Sequence, residues 1–330
     1  MSDQPITLVI AGGEISSGLS VGHDSQDSAA AADVLRSWLP EGLSEGINVI
    51  DWSHQACSHY TLRMTADLIE LLDQQVAGGS RAIVALCGAD AVEEMSYLAD
   101  LLWIYPQPLI FAVTHNRPDA IGSDAKAILA EAVTAAASRE TWGQGVLVCT
   151  QGQLFAASDV MELSNYGRSG FVGNHCGSVG EIVGSKVHMR QTPKRSKVFD
   201  FPFTPARNVE VLMSALGAGE RFLEMLAEND GEGKIDGLVV AGFGGGNVYP
   251  AWVQHLKMLR KQEVPIVVVS RCTKGCVLED ANFEGSYSKL KELGILSGGF
   301  LNPLKARLKL AVGIGEGLKN EELQNYLLDL

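Results

Sequence analysis

Four turns that follow apolar runs carry side chains with the means to bind a ligand or do chemistry. They are Ala11–Ser16, Asp51–Gln55, Cys87–Ala91 and Gly242–Asn247. In an open parallel sheet, ligands bind at the carboxyl ends of the strands, where the chain order reverses. If the preceding runs are strands of such a sheet, these turns are where a site is expected.

Asp90 has two interpretations. It precedes a segment with helical spacing, so its carboxylate could cap that helix, or it could lie at the rim of a pocket and pair with a ligand cation. Gly12-Gly13 after the first apolar run could suggest a dinucleotide loop, but the fingerprint G-x-G-x-x-G is absent from the turn and no P-loop occurs anywhere. The glycine pair is typical of a sharp backbone turn.

The elements that position these turns are predicted from apolar periodicity. Short, continuously apolar runs alternate with amphipathic segments, a pattern typical of a parallel sheet covered on both faces. The predicted strands of the first half are 6–10, 47–50, 82–86, 109–113 and 145–149, and the predicted helices are 65–76, 91–102 and 123–137.

The pattern changes after Cys149. A glycine-rich stretch predicts a hairpin built from Ser169–Val172 and Glu181–Val187. A proline-containing segment of mixed charge then predicts a linker, and a smaller α/β unit follows. The domains are therefore predicted as 1–190, linker 191–208 and 209–330. Strands 209–214, 237–241 and 265–270 and helices 220–227, 250–261, 286–293 and 303–312 are predicted in the second unit.

Composition excludes several classes of protein. The chain has 330 residues, 46% of them apolar, and a net charge of −13, which repels phosphate backbones and argues against nucleic acid as a partner. No run is long enough to span a bilayer and the start lacks a signal-peptide pattern, so we expect a cytoplasmic protein with no membrane partner. The six cysteines form no metal-binding or disulfide pattern, so no metal and no cofactor are expected.

The turns resemble motifs of the bacterial asparaginase/glutaminase family. Its first-strand motif T-G-G-T-I-A corresponds to the turn at Gly12, and its motif H-G-T-D-T-M-E-E-T-A-Y-x-L corresponds to Cys87–Leu98. Further similarities occur in order along nearly the whole chain: Asn116-Arg117-Pro118, Gly145–Val148, Ala157–Glu162, Gln191-Thr192-Pro193, Gly242–Tyr249, Ser270-Arg271 and Leu301–Arg307.

The resemblance implies a two-domain, asparaginase-like α/β fold. A large N-terminal, mostly parallel sheet flanked by helices is expected to precede a smaller C-terminal α/β domain. The family also implies a homodimer or homotetramer, with the site at the junction of domains and subunits.

Residue by residue, the resemblance places unusual groups at the family's catalytic positions. The nucleophilic threonine corresponds to Glu14, the threonine of H-G-T-D to Ala89, and the lysine of A-R-D-V-T-K to Glu162. The tyrosine of the loop after the first motif has no counterpart in 16–32. Asp90 corresponds to the carboxylate that binds the substrate's α-ammonium group.

The remaining candidates are ligand-binding residues. Ser53 corresponds to the serine that holds the α-carboxylate, and Gly88 and Ala89 line the same turn. Asn247 corresponds to an asparagine that reaches a neighbouring subunit's site. Asn282 lies near the position where some members place a glutamate for the ammonium group.

Three functions remain open. The first is an amidohydrolase with rebuilt machinery, in which Ser16, Ser17 or Cys87 would be a replacement nucleophile, or Glu14 would instead be a general base for water. The second is a homologue that binds a small amino-acid-like or amide ligand, as a binding or regulatory protein or as a partner subunit, without ordinary asparaginase activity. The third is different chemistry in the same pocket. Clustered carboxylates would favour a cationic ligand or supply an acid–base group, and would repel free aspartate.

Overall fold

The chain divides into two compact units, Met1–Phe201 and Pro202–Leu330. The computed structural model describes residues 4–16, 28–166, 170–229, 231 and 233–329, without the side chains of 28–30. The division falls inside the predicted linker 191–208, most of which has neither helix nor strand.

The N-terminal unit contains an eight-stranded sheet in the order β10-β9-β6-β5-β4-β3-β1-β2. Its strands, together with a separate pair β7-β8, are β1 (Ile6–Ala11), β2 (Ile47–Ser53), β3 (Ala82–Gly88), β4 (Leu109–Thr114), β5 (Val146–Thr150), β6 (Gln153–Ala156), β7 (Val160–Glu162), β8 (Phe171–Gly173), β9 (Gly180–Val183) and β10 (Lys186–Met189). Strands β1 to β5 are parallel, and three antiparallel strands extend one edge.

Helices pack on this sheet and bury its apolar residues. They are α1 (Ser28–Trp38), α2 (Leu62–Ala77), α3 (Val92–Leu102) and α4 (Ala125–Ala137). Strands β1, β3, β4 and β5 are buried along their whole length, which explains their uninterrupted apolar sequences. Helix α2 begins earlier than predicted because Thr61 caps it, with its hydroxyl accepting a hydrogen bond from Met64 N at 3.2 Å.

The C-terminal unit is a four-stranded parallel sheet in the order β11-β12-β13-β14 with helices packed on it. Its elements are β11 (Val209–Met213), α5 (Glu220–Glu228), β12 (Gly237–Gly242), α6 (Trp252–Lys261), β13 (Ile266–Ser270), α7 (Tyr287–Glu292), β14 (Leu296–Ser297), α8 (Pro303–Gly315) and α9 (Asn320–Leu328). Asn302 caps α8 by accepting a hydrogen bond from Lys305 N, and Pro303 occupies its first turn.

The predicted α/β class, with a large mostly parallel sheet and a smaller C-terminal unit, is confirmed. The hairpin predicted between 169–172 and 181–187 is wrong. Strand β8 instead pairs with β7, and β9 pairs with β10. The reason is local: Gly184 and Ser185 both have positive φ, the geometry of a two-residue hairpin turn, so 181–187 folds back on itself. Ser169 lies outside the described residues.

The strand order determines where a site can form. Strand β1 lies between β2 and β3, so the direction in which strands are added reverses at β1. The carboxyl ends of β2, β1, β3 and β4 therefore lie side by side, and the crevice expected from such a reversal opens next to β1.

Candidate functional site

The turn after β1 lies directly on the carboxyl end of β3. Gly13 has a φ of +78°, and a Cβ atom at this position would overlap the backbone N and Cα atoms of Gly88. A Cβ atom on Gly88 would overlap the carboxylate of Glu14 and lie 3.0 Å from Gly13 Cα. The approach is therefore possible only because neither residue has a side chain.

This approach places Glu14 over the end of β3. Its atom Oε2 occupies the space that a side chain on Gly88 would fill, and the residue is partly buried. The thiol of Cys57, from the turn after β2, accepts a hydrogen bond from Gly88 N at 3.1 Å. The turns after β1, β2 and β3 thus meet around one glycine.

Two buried thiols lie in this cluster. Loss of hydration raises the pKa of Cys57 to about 11, the hydrogen bond from Gly88 opposes this, and the charges of Glu14 and Asp90 raise it further. Burial raises the pKa of Cys87 well above its ordinary value, with smaller contributions from Cys57 and Glu14. Both groups are thiols rather than thiolates at neutral pH, so Cys87 is not an activated nucleophile.

The serine candidates have a structural explanation or lie outside the described residues. The buried Ser16 hydroxyl donates a hydrogen bond to Gly13 O at 2.8 Å, as expected for a hydroxyl that stabilises a turn. Ser17 lies outside the part of the chain that the structure describes.

At the end of β2, Ser53 is half-buried and its hydroxyl accepts a hydrogen bond from Gln55 N at 3.2 Å. Tyr60 crosses from the turn after β2 and donates a hydrogen bond to the carbonyl of Ala11. Burial raises the pKa of Tyr60, and a hydrogen bond with the Ser53 side chain opposes the rise. Its ring also packs against Trp52, with the ring centroids 5.8 Å apart. A phenol therefore lies at the strand ends, supplied by a different segment from the loop 16–32.

Asp90 is exposed, two residues after the end of β3. The capping interpretation of this residue is wrong, because α3 begins at Val92 with Ala91 as the N-cap residue and without a side-chain cap. The Asp90 carboxylate makes no hydrogen bond to any residue that the structure describes. It remains at the rim of the cluster formed by Glu14, Cys57 and Gly88, and Ala89 beside it is buried.

Glu162, the last residue of β7, is directed towards another strand end. Its Oε1 atom lies 3.2 Å from Nε2 of His115, the residue that follows β4. Its backbone N donates to Glu93 Oε2 at 3.3 Å. The structure therefore places the two glutamates predicted from the motifs in different surroundings: Glu14 lies against β3 and a thiol, and Glu162 lies against an imidazole.

Two predicted residues belong to the C-terminal unit. Asn247 lies in the tight turn after β12, where its N and O atoms form hydrogen bonds with Phe243 at 2.9 and 2.7 Å. Asn282 is exposed in the loop before α7. Among the described residues there is no group of three or more His, Cys, Asp or Glu side chains that could hold a metal ion. None of the described helices has the length and apolar composition to cross a bilayer.

Comparison with known proteins identifies the fold and the family. Residues 5–195 match the family described as "Asparaginase, N-terminal", and residues 208–327 match "Glutaminase/Asparaginase C-terminal domain". The chain belongs to the asparaginase family. The resemblance predicted from the turn motifs is thereby confirmed, and so is the two-domain asparaginase-like fold.

Two relatives and one solved structure are similar to this asparaginase-family chain over almost their full length. A "Probable L-asparaginase" from Deinococcus radiodurans is 29% identical, over 97% of this chain and 95% of the relative. An "L-asparaginase" from Bacillus licheniformis is 26% identical, over 97% of this chain and 99% of the relative. The crystal structure of a "Probable Cytoplasmic L-asparaginase" from Campylobacter jejuni superposes with a TM-score of 0.85 at 24% identity, over 99% and 100% of the two chains.

The sequence motifs of this asparaginase-family protein did not point to three residues at the strand ends. They are His115, Tyr60 and Cys57. His115 and Tyr60 follow predicted elements without belonging to a family motif, and their partners are distant in the sequence. The one indication was position, since each lies shortly after a strand that ends at this edge.

Proposed function

We propose that this protein binds a small amino acid or amino-acid amide at the carboxyl ends of β1, β2 and β3, without ordinary L-asparaginase activity. Asp90 would bind the ligand's ammonium group and Ser53 its carboxylate, with Gly88 and Ala89 lining the turn between them. The observation that carries the proposal is the position of Glu14, whose carboxylate lies over Gly88. The motif resemblance aligns this residue with the family's attacking alcohol.

The chemistry of amide cleavage supports the absence of this activity. Hydrolysis through a covalent intermediate needs an activated nucleophile and a donor for the developing oxyanion. Position 14 carries a carboxylate, position 89 a methyl group, and position 162 a carboxylate where the family has an amine. Of the nucleophile candidates, Ser16 is engaged in its turn, Cys87 is a buried thiol with a raised pKa, and Ser17 lies outside the described residues.

A second candidate function is an amidohydrolase with rebuilt machinery, or a non-hydrolytic enzyme that uses the same pocket. Glu14 favours it, because a partly buried carboxylate at a strand end can act as a general base for water. In that case Glu14, Asp90 and Glu162 would be the catalytic carboxylates.

We propose the oligomeric state, the cellular location and the partners on the basis of the family resemblance. We expect a homodimer or homotetramer in which Asn247 and Asn282 approach a bound ligand, and a cytoplasmic protein with a small-molecule partner and no nucleic-acid partner. The relatives named as L-asparaginases support an amino-acid amide as the class of ligand.

Two measurements test the proposal. Thermal shift with amino acids and their amides should identify a ligand, and Asp90→Asn should abolish the shift while Asp67→Asn, an exposed carboxylate on α2, should not. With millimolar L-asparagine, the wild-type protein should release no ammonia above background. Rapid release that Asp90→Asn abolishes would overturn the proposal.

Restoring the family's groups provides a positive control. The triple variant Glu14→Thr, Ala89→Thr and Glu162→Lys should gain ammonia release from L-asparagine, because it regains the alcohol, the hydroxyl and the amine. A ligand that the wild-type protein returns intact supports a binding function, whereas a ligand that it turns over supports the second candidate.

A further inference from the structure

A histidine–carboxylate pair lies at the edge of the large sheet, beside the site described above. Strands β3 and β4 are paired so that Thr114 lies opposite Gly88. His115 and Ala89 are each the next residue along. Since adjacent strands lie about 4.8 Å apart, the backbone of His115 lies at the strand end next to that of Ala89.

The ring of His115 is held by three neighbours. Its Nε2 atom lies 3.2 Å from Glu162 Oε1. The ring of Phe171 packs on it with centroids 5.1 Å apart, and a Cβ atom on Gly170 would overlap it. The side chains of His115 and Glu162 are 13% and 26% exposed, so the pair is largely but not fully removed from water.

The pairing determines which ring nitrogen is available. An ionised carboxylate only accepts hydrogen bonds, so Nε2 carries the proton of the neutral imidazole and the lone pair is on Nδ1. Nδ1 makes no hydrogen bond to any residue within the described part of the chain. Glu162 is itself fixed by the bond from its backbone N to Glu93 in the first turn of α3.

We propose that Nδ1 of His115 takes up a proton when a ligand binds at this site, with Glu162 as the residue that fixes its tautomer. The inference rests on the proposed function, since it needs a ligand bound at Asp90. The family resemblance expects an amine at position 162. In this chain, the nitrogen that takes up a proton is Nδ1 of His115, the residue after β4. Position 162 instead supplies the carboxylate that orients the imidazole ring.

The proton balance is simple. When an amino-acid amide binds, Nδ1 takes up one proton from the solvent and donates a hydrogen bond to the ligand's side-chain oxygen. The imidazolium is balanced by Glu162, and Glu93, Asp90 and Glu14 add negative charge on the elements around it. Release of the ligand returns the proton to the solvent.

Nuclear magnetic resonance of the ligand-free protein with ¹⁵N-labelled histidine tests the tautomer. At pH 8.5 the His115 signal, assigned by its loss in His115→Gln, should report a proton on Nε2 and none on Nδ1. Acidification should add the second proton at Nδ1. A neutral ring with its proton on Nδ1 would overturn the inference, whether or not a ligand is found.

Calorimetry with L-asparagine as the probe tests whether binding is accompanied by proton uptake. In two buffers of different ionisation enthalpy at pH 7.5, binding to the wild-type protein should take up a fraction of a proton. His115→Gln should bind L-asparagine more weakly, because it loses the hydrogen bond from Nδ1, and should lose the proton uptake, whereas His188→Gln, at an exposed histidine on β10, should change neither. Uptake that persists in His115→Gln would overturn the inference.

Absence of L-asparagine binding to the wild-type protein would contradict the proposed ligand class, and the ligand-free spectrum would still decide the tautomer.

Discussion

The two units of this protein each bury ionisable groups, and they do so in opposite ways. In the N-terminal unit, the turns after β1 and β2 and the end of β3 gather Glu14, Cys57 and Cys87, and burial raises the pKa of both thiols. In the C-terminal unit, α8 carries Lys309, which is fully buried, and burial lowers its pKa to about 8. The first region collects groups of one sign at strand ends, whereas the second encloses the ammonium group of Lys309 between helices.

This difference in charge and position distinguishes a candidate ligand site from a buried charge that stabilises the fold. The ammonium group of Lys309 donates to the carbonyl of Asp329 and lies 4.9 Å from the ring centroid of Tyr326, so it joins α8 to the end of α9. The strand-end cluster depends instead on close backbone approach at Gly13 and Gly88, and it leaves Asp90 exposed at its rim. Buried charge by itself does not indicate function; its place at the carboxyl edge of a parallel sheet does.

The largest expected effect comes from filling the glycine contact. Gly13→Ala should lower the free energy of unfolding by about 4 kcal/mol, because the new methyl group would overlap backbone atoms of Gly88 that no rotamer can avoid. Urea denaturation measures the loss.

Gly42→Ala is the matched control. Its φ of +88° is similar, but nothing lies within 4 Å of the added Cβ atom, so it should cost only about 1 kcal/mol of left-handed backbone strain. Equal losses in the two variants would show that backbone strain, and not the contact with β3, determines the cost.

The next effect concerns Lys309 and pH. The folded pKa of about 8 is below the unfolded value of 10.5, so between these pH values only the folded state has released its proton. The contribution of Lys309 to the free energy of unfolding is therefore least below pH 8 and rises as the pH increases towards 10.5. Relative to Lys309→Met, the wild-type protein should gain about 3 kcal/mol over this range.

The difference in stability between the wild-type protein and Lys309→Met excludes a pH-dependent contribution of opposite sign from the buried thiols. The buried thiols have raised pKa values, so their stabilising effect is lost above pH 9 in both proteins alike. Thermal or urea unfolding at pH 7, 8, 9 and 10 supplies the difference, and Lys257→Met, on the exposed face of α6, should show none. A flat difference for Lys309→Met would mean that the ammonium group is not desolvated.

Thiol reactivity tests the strand-end cluster directly. With its pKa raised to about 11, Cys57 should react with iodoacetamide at pH 8 at least about 100-fold more slowly than the exposed Cys176 and Cys272. Mass spectrometry of the labelled peptides gives the three rates. Glu14→Gln should speed the reaction of Cys57 and leave Cys176 unchanged, and a similar speed for all three thiols in the wild-type protein would show that the cluster is open to solvent.

The smallest expected effect is that of Tyr60. Tyr60→Phe removes the hydrogen bond to the Ala11 carbonyl and should cost about 1 kcal/mol of stability. Tyr166→Phe, at a residue that is 80% exposed, should change stability by about 0.2 kcal/mol or less. Urea denaturation of the two variants side by side distinguishes a bond that closes the turn from a phenol that merely packs there.

Much of the architecture was predictable from the sequence. Continuous apolar runs such as 82–86 predict buried parallel strands, since each backbone position in them points to one of two covered faces. The turn motifs placed Glu14 and Asp90 at strand ends and indicated the family. The hairpin 169–172 with 181–187 was not predictable in its true form, because short polar strands carry weak periodicity and the positive φ of Ser185 is not visible in its residue type.

The sequence by itself determined the main parallel strands and most of the helices that cover them, the family, and which residue types stand at positions 14, 89, 90 and 162. Only the tertiary structure decided what those residues touch: Glu14 lies on Gly88, and Glu162 lies on His115. The physical reason is how far apart in the sequence the interacting residues lie. Periodicity and turn chemistry act between residues near in the chain, whereas the sheet order β4-β3-β1-β2 brings together side chains from four separate loops, and no local pattern encodes their pairing.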